Sequence, residues 1–173
     1  GEEDELLPGL AVNLYVFEDF TVPFKEISAN FPPILSGVAP AIHVLGAEAF
    51  GERTENVYLE FKGFIKIEET DNYVFRIISD DGAYVFLDGQ QIIDNGGNHG
   101  AMAKDGEVYL EKGLHEIAVD YHQGASDGMV SLQWIQHGQE DFSVVPNEVL
   151  FHKKAQFKEV VPGCSQNNMT SAA

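Results

Sequence analysis

The chain has almost no cysteine. Cys164 stands alone, so no internal disulfide braces the fold, and cysteine usage leaves the redox compartment open. Basic residues are also scarce: ten Lys plus Arg face 28 Asp plus Glu, a formal net charge of −18. That surface repels phosphate backbones and anionic lipid, which argues against nucleic-acid binding and simple docking on a membrane. No run is apolar and long enough to span a bilayer, so no direct membrane insertion is expected. The six histidines lack metal-ligand spacing, which argues against zinc. There is no nucleophile elbow, phosphate loop or Cys–His pair, and so no sign of an enzyme. The chain begins at Gly1 with no initiator Met and no leader. That start reads as the processed end of a larger protein in which this is a monomeric module.

What is present favours strands. The 173 residues are 44% hydrophobic, enough to bury a core in one domain, and helix-period patterns are rare. Alternating segments are punctuated by Gly and Pro throughout, which points to an all-β, two-sheet antiparallel sandwich or barrel with long surface loops and little helix. Residues 1–7 read as a flexible acidic leader, 8–152 as the domain and 153–173 as a tail or linker. Residues 10–17 read as an opening strand. Residues 20–33 read as irregular, broken by Pro23, Pro32 and Pro33, and 34–42 as loop. Residues 56–67 alternate well, and Gly63 suggests a bulge within them. Residues 115–121 alternate likewise, and Trp134 sits on a returning strand, where core packing outweighs a sugar-stacking role.

The densest information lies in residues 73–99. Two strand patterns flank Ser79-Asp80-Asp81-Gly82, and Asp88-Gly89 is a two-residue hairpin signal, since a type I′ turn needs positive φ at both central positions. Asp80 and Asp81 are adjacent carboxylates at a strand end, where they repel each other unless a cation joins them. They are neighbours in the chain and so cannot flank a glycosidic bond at the separation of about 5–9 Å that hydrolysis needs. An acidic turn satisfied by its own backbone is the simpler reading of the same residues.

The phrase F-x-x-x-S-D-D-G-x-x-x-x-L-D-G at 75–89, the run into Ile92-Ile93-Asp94 and the later Gly113-Leu114-His115 resemble the PA14 domain, over roughly residues 9–151. The resemblance implies a cis peptide between Asp80 and Asp81, with both side chains gripping one Ca²⁺ whose open positions accept neighbouring sugar hydroxyls. It also implies a second half of the site in the 123–127 loop. Gln123, Ser126 and Asp127 there carry the oxygens that Ca²⁺ takes. Asn95 and His99, in the 94–99 loop, could reach the same rim and contact the sugar. Two functions remain in view. One is a calcium-dependent carbohydrate-binding (lectin-like) module of a secreted or cell-surface protein such as an adhesin. The other is a non-catalytic structural or protein-interaction PA14 domain of a larger secreted protein or carbohydrate-active enzyme.

Overall fold

The computed structural model describes residues 1–16, 23–46, 56–124 and 128–157. Its backbone is mostly strand, 59% against 12% helix, in two antiparallel sheets. The larger sheet is built on two eleven-residue strands, β5 (Val57–Ile67) and β10 (Gly113–Gln123). They run antiparallel, with Gly113 opposite Ile67 and Gln123 opposite Val57. Beside β10 lie β7 (Ala83–Leu87) and β8 (Gln90–Asn95). Beside β5 lie β2 (Leu10–Val16), which carries β3 (Leu35–Ala39), and β13 (Leu150–His152), which pairs with β1 (Leu7–Pro8). The smaller sheet is ordered β12 (Phe142–Val144), β11 (Met129–Ile135), β6 (Asp71–Asp80), β9 (Met102–Leu110), and β4 (His43–Leu45) also pairs with β11.

Alternation places the core. Along β6, Tyr73, Phe75 and Ile77 are buried. They meet Phe61, Ile65, Ile117 and Val119 of the other sheet in one cluster, the sandwich arrangement in which each sheet contributes alternate side chains. Trp134 belongs to this core: it is 3% exposed and stacks on Tyr73 at 5.6 Å between ring centroids. The hairpin at Asp88-Gly89 has the expected positive φ values, 51° and 78°.

Three expectations change. Residues 20–33 are not all irregular, because Phe24–Asn30 form a helix, α1, with Pro23 at its N-cap. Proline tolerates the edge of a helix and not its interior, and here the prolines stand outside Phe24–Asn30. Residues 35–39 pair with β2 as β3 rather than looping. Gly63 is not a bulge, since the β5–β10 register runs unbroken through Gly63 opposite Ile117. A glycine is needed there because a Cβ would overlap the carbonyl oxygen of Phe151.

Helix α1 explains why β5 and β10 are buried on both faces near one end. Phe24 stacks on Tyr58 at 4.7 Å, and Ile27 joins Tyr15 and Tyr58 in a second cluster. The polar residues under this cover are bonded. Ser36 donates to Asn13, Asn13 to Glu60 and Tyr58 to Asp120.

Candidate functional site

The strand register gathers several segment ends at one rim. Asp80, the last residue of β6, pairs with Met129 at the start of β11. Ala83, the first of β7, pairs with Tyr121 near the end of β10 and with Asn95 at the end of β8. The loops after β8 and β10 therefore leave beside Asp80 and Asp81. The peptide between those two residues is cis, and both side chains are half-buried.

Asp81 organises the rim. Its Oδ1 accepts the backbone N–H of His99 at 3.1 Å, and its Oδ2 accepts that of Gly124 at 2.9 Å. One carboxylate thus anchors two loops that are distant in sequence, through charge-assisted bonds. Tyr121 donates its hydroxyl to the carbonyl of Asp80. Burial pushes that hydroxyl's pKa up, and the charges of Asp80 and Asp81 add to the effect. Gly82 permits the close packing: a Cβ there would meet His122 Nε2 and the backbone of Gly97.

The imidazole of His99 lies between two carbonyls, with Nδ1 2.7 Å from Gly100 O and Nε2 2.8 Å from Asn95 O. Carbonyls only accept, so both contacts are hydrogen bonds when the ring is protonated. Burial opposes that charge. The two carbonyls and the neighbouring Asp81 and Asp80 outweigh it, leaving the pKa raised. His122, beside Gly82, is the reverse case. Burial lowers its pKa against the pull of Asp81, and the neighbouring His99 lowers it further.

Of the residues the sequence singled out, Asp80, Asp81, His99, Asn95 and Gln123 come to this rim, each by a different route. Asn95 lies beneath it, 1% exposed, with Nδ2 donating to Ser79 Oγ and to Met102 O, both at 3.0 Å. It ties β8 to the smaller sheet and presents no free amide to the surface. The Gln123 side chain is likewise fully buried. Ser126 and Asp127 lie outside the described residues. Tyr121 and Gly124 carry bonds that sequence reasoning did not assign. Tyr121 looked like one more core residue in an alternating strand, and Gly124 acts through a backbone N–H.

The residues present fit a hard cation. Two carboxylates joined by a cis peptide stand at this rim, and Oδ1 of Asn95, whose amide nitrogen donates to Ser79, is buried with no hydrogen-bond donor among the described residues. Among the described residues no three His, Cys, Asp or Glu side chains cluster as a metal site on their own. A shell of about six to eight oxygens would therefore draw on amide and carbonyl oxygens, with further donors from the 125–127 loop.

Comparison with known proteins identifies the family. The model of the PA14 domain matches residues 24–148. The chain belongs to the PA14 domain family. Among its relatives is the anti-sigma-I factor RsgI3 of Acetivibrio thermocellus, 25% identical over 105 residues, which are 60% of this chain and 16% of the relative. The chain thus spans a small part of the curated relatives it matches. A solved anti-sigma factor domain-containing protein from Clostridium clariflavum is 27% identical, with a TM-score of 0.71, covering 86% of this chain and 48% of that one. A PA14 sugar-binding domain from an RTX adhesin, 17% identical, shares the fold at a TM-score of 0.69, covering 84% of this chain and 99% of its own. No described helix is long and apolar enough to cross a membrane.

Proposed function

We propose that this PA14 domain is a calcium-dependent carbohydrate-binding module of a secreted or cell-surface protein, acting by binding and not by catalysis. The observation that carries this reading is the double anchoring of Asp81. The N–H groups of His99 and Gly124 hold two loops around one carboxylate, with Asp80 beside it. Asp80, Asp81, Gln123, Ser126 and Asp127 would hold Ca²⁺, and when bound it supplies coordination positions that vicinal sugar hydroxyls take in place of water. Asp80 and Asp81 then accept hydrogen bonds from those hydroxyl protons, and His99 borders the sugar from the 96–100 loop. Asn95 supports the rim from below. The shared fold with a PA14 sugar-binding domain supports the same reading.

A shallow site touching one or two rings gives weak affinity, with Kd of about a millimolar, or ~−4 kcal/mol. Several copies on one surface would multiply it by avidity. The test is a sugar titration with calcium and with chelator. Binding to sugars with adjacent hydroxyls is expected in calcium and lost in chelator. Undiminished binding in chelator would refute the reading.

A second reading has one observation in its favour. The anti-sigma factor relatives are 25% and 27% identical, against 17% for the sugar-binding domain. A PA14 domain in that setting could serve as a non-catalytic protein-interaction or structural unit. It predicts neither sugar binding nor any change in melting with calcium.

A further inference from the structure

The outer face of the larger sheet carries a second constellation, under and beside α1. The helix does not seal this face. A cavity of about 460 Å³ remains, lined by Phe24, Lys25, Tyr84, Phe86, Asp120 and His122, among others. That volume suits a small ligand. Phe24 and Tyr84 stand with ring centroids 6.3 Å apart at 58°, and Phe24 packs on His122 at 4.7 Å.

Among the described residues, Asp120 is the one acidic side chain lining the cavity. It is 8% exposed and comes from a strand buried on both faces. Its Oδ1 accepts the Tyr58 hydroxyl at 3.0 Å. Among the described residues no Lys, Arg or His lies within ion-pair distance of it. Burial raises its pKa to about 6, and the charge of Glu60 adds to this, while the Tyr58 hydrogen bond, Lys25 and Lys62 pull it down. It is therefore a buried carboxyl on which the described cations Lys25 and Lys62 act from beyond ion-pair distance. A buried charge in that condition gains strongly from a cationic partner.

The ring faces favour the same sign. Lys25 already holds Nζ 4.5 Å from the centroid of Phe86, so a cation rests on one wall of the cavity. The net charge of −18 concentrates cations around the whole domain.

We propose that this cavity is a second binding site, for an organic ammonium group, held by the Asp120 carboxylate and the ring faces of Phe24, Tyr84 and Phe86. Lys25 is its internal competitor. The ammonium could belong to a small free amine or to a lysine side chain of another protein, since both offer the same chemistry.

The test titrates the isotope-labelled chain with choline and with its uncharged isostere 3,3-dimethyl-1-butanol, in the presence of chelator so that the calcium rim is not engaged. Choline is expected to bind at least about tenfold more tightly than the isostere, shifting amides around Tyr84, Phe86 and Asp120. Asp120→Asn, which keeps the acceptor for Tyr58, should weaken choline at least about tenfold, and Lys25→Met should strengthen it severalfold. Phe86→Leu, at a half-buried position, should weaken it severalfold and covers the case in which Asp120→Asn fails to fold. A short peptide with one lysine, compared with its acetyl-lysine form, separates the sources. Tighter binding than choline marks a protein side chain as the occupant, and weaker binding marks a free amine. Equal affinity for choline and isostere would overturn the proposal. So would no binding at tens of millimolar, or unchanged affinity in folded Asp120→Asn and Phe86→Leu.

Discussion

The backbone N–H of Gly124 donates to Oδ2 of Asp81 at 2.9 Å, across 43 positions of sequence. With the His99 bond on Oδ1, Asp81 fixes two loops as well as offering charge. Asp81→Ala removes both acceptors, at about 1.5–3 kcal/mol for each charge-assisted bond. The variant is expected to melt below the wild type and to lose any response to calcium. In the wild type, calcium should raise stability by about 2.7 kcal/mol once free ion is ~100 times Kd. Thermal unfolding with calcium and with chelator checks both; a calcium response that survives in Asp81→Ala would contradict the site.

Asp120 gives a pH signature. A carboxyl whose folded pKa lies above its unfolded value costs the folded state nothing while both forms are protonated. The cost grows as pH rises from 3.8 and is complete above about 6. Its ceiling, from the displacement of the pKa, is about 3 kcal/mol. Asp120→Asn should therefore gain on the wild type by up to about 3 kcal/mol between pH ~4 and pH ~7. Urea unfolding of both proteins at the two pH values measures the difference; a gap that does not change with pH would show that Asp120 ionises freely.

Trp134 separates core from platform. It stacks on Tyr73 inside the sandwich, 3% exposed. Trp134→Phe is expected to cost about 1–2 kcal/mol of stability through lost packing. Calcium response and sugar affinity should stay at wild-type values. Sugar binding lost in a folded Trp134→Phe protein would place the contact on this ring.

Gly63→Ala tests the larger sheet where β5, β10 and β13 meet. The added Cβ would overlap the Phe151 carbonyl oxygen, a backbone atom that cannot swing aside. The expected cost is at least about 2 kcal/mol in denaturant unfolding. A neutral substitution would mean that β13 sits looser on β5 than Leu150 opposite Ile65 requires.

The sequence was most legible where a side-chain period or a turn chemistry speaks for itself. Tyr73, Phe75 and Ile77 announced β6, Asp88-Gly89 announced its hairpin, and Asp80-Asp81 announced an acidic rim. It was least legible where tertiary cover overrides local signals. Three prolines between 20 and 33 suggested an irregular segment, yet they lie outside a helix whose Phe24 and Ile27 pack on residues distant in sequence, Tyr15 and Tyr58 among them. Asp120 and Glu60 looked like the solvent side of alternating strands, and α1 buries them. Asn95 read as part of the 94–99 loop reaching toward a sugar, and its amide instead bridges the two sheets. Period-two patterning says which residues share a face, and nothing in it says what lies over that face.

The pairing of β1 with β13 bears on how such a domain is strung. Leu7 lies opposite His152, and Leu150 lies opposite Ile65 on β5. The strand's other end, Val57, faces Gln123 at the rim that carries Asp80 and Asp81. Eight residue steps along β5 lead from Val57 to Ile65, roughly 26 Å of extended backbone. A polypeptide arriving at Leu7 and departing after His152 uses adjacent rungs of one ladder, at the pole away from Asp80 and Asp81. The domain can thus be spliced into a loop of a host protein, or threaded bead-like among others, with its inlet and outlet side by side and its carboxylates pointing away from the host.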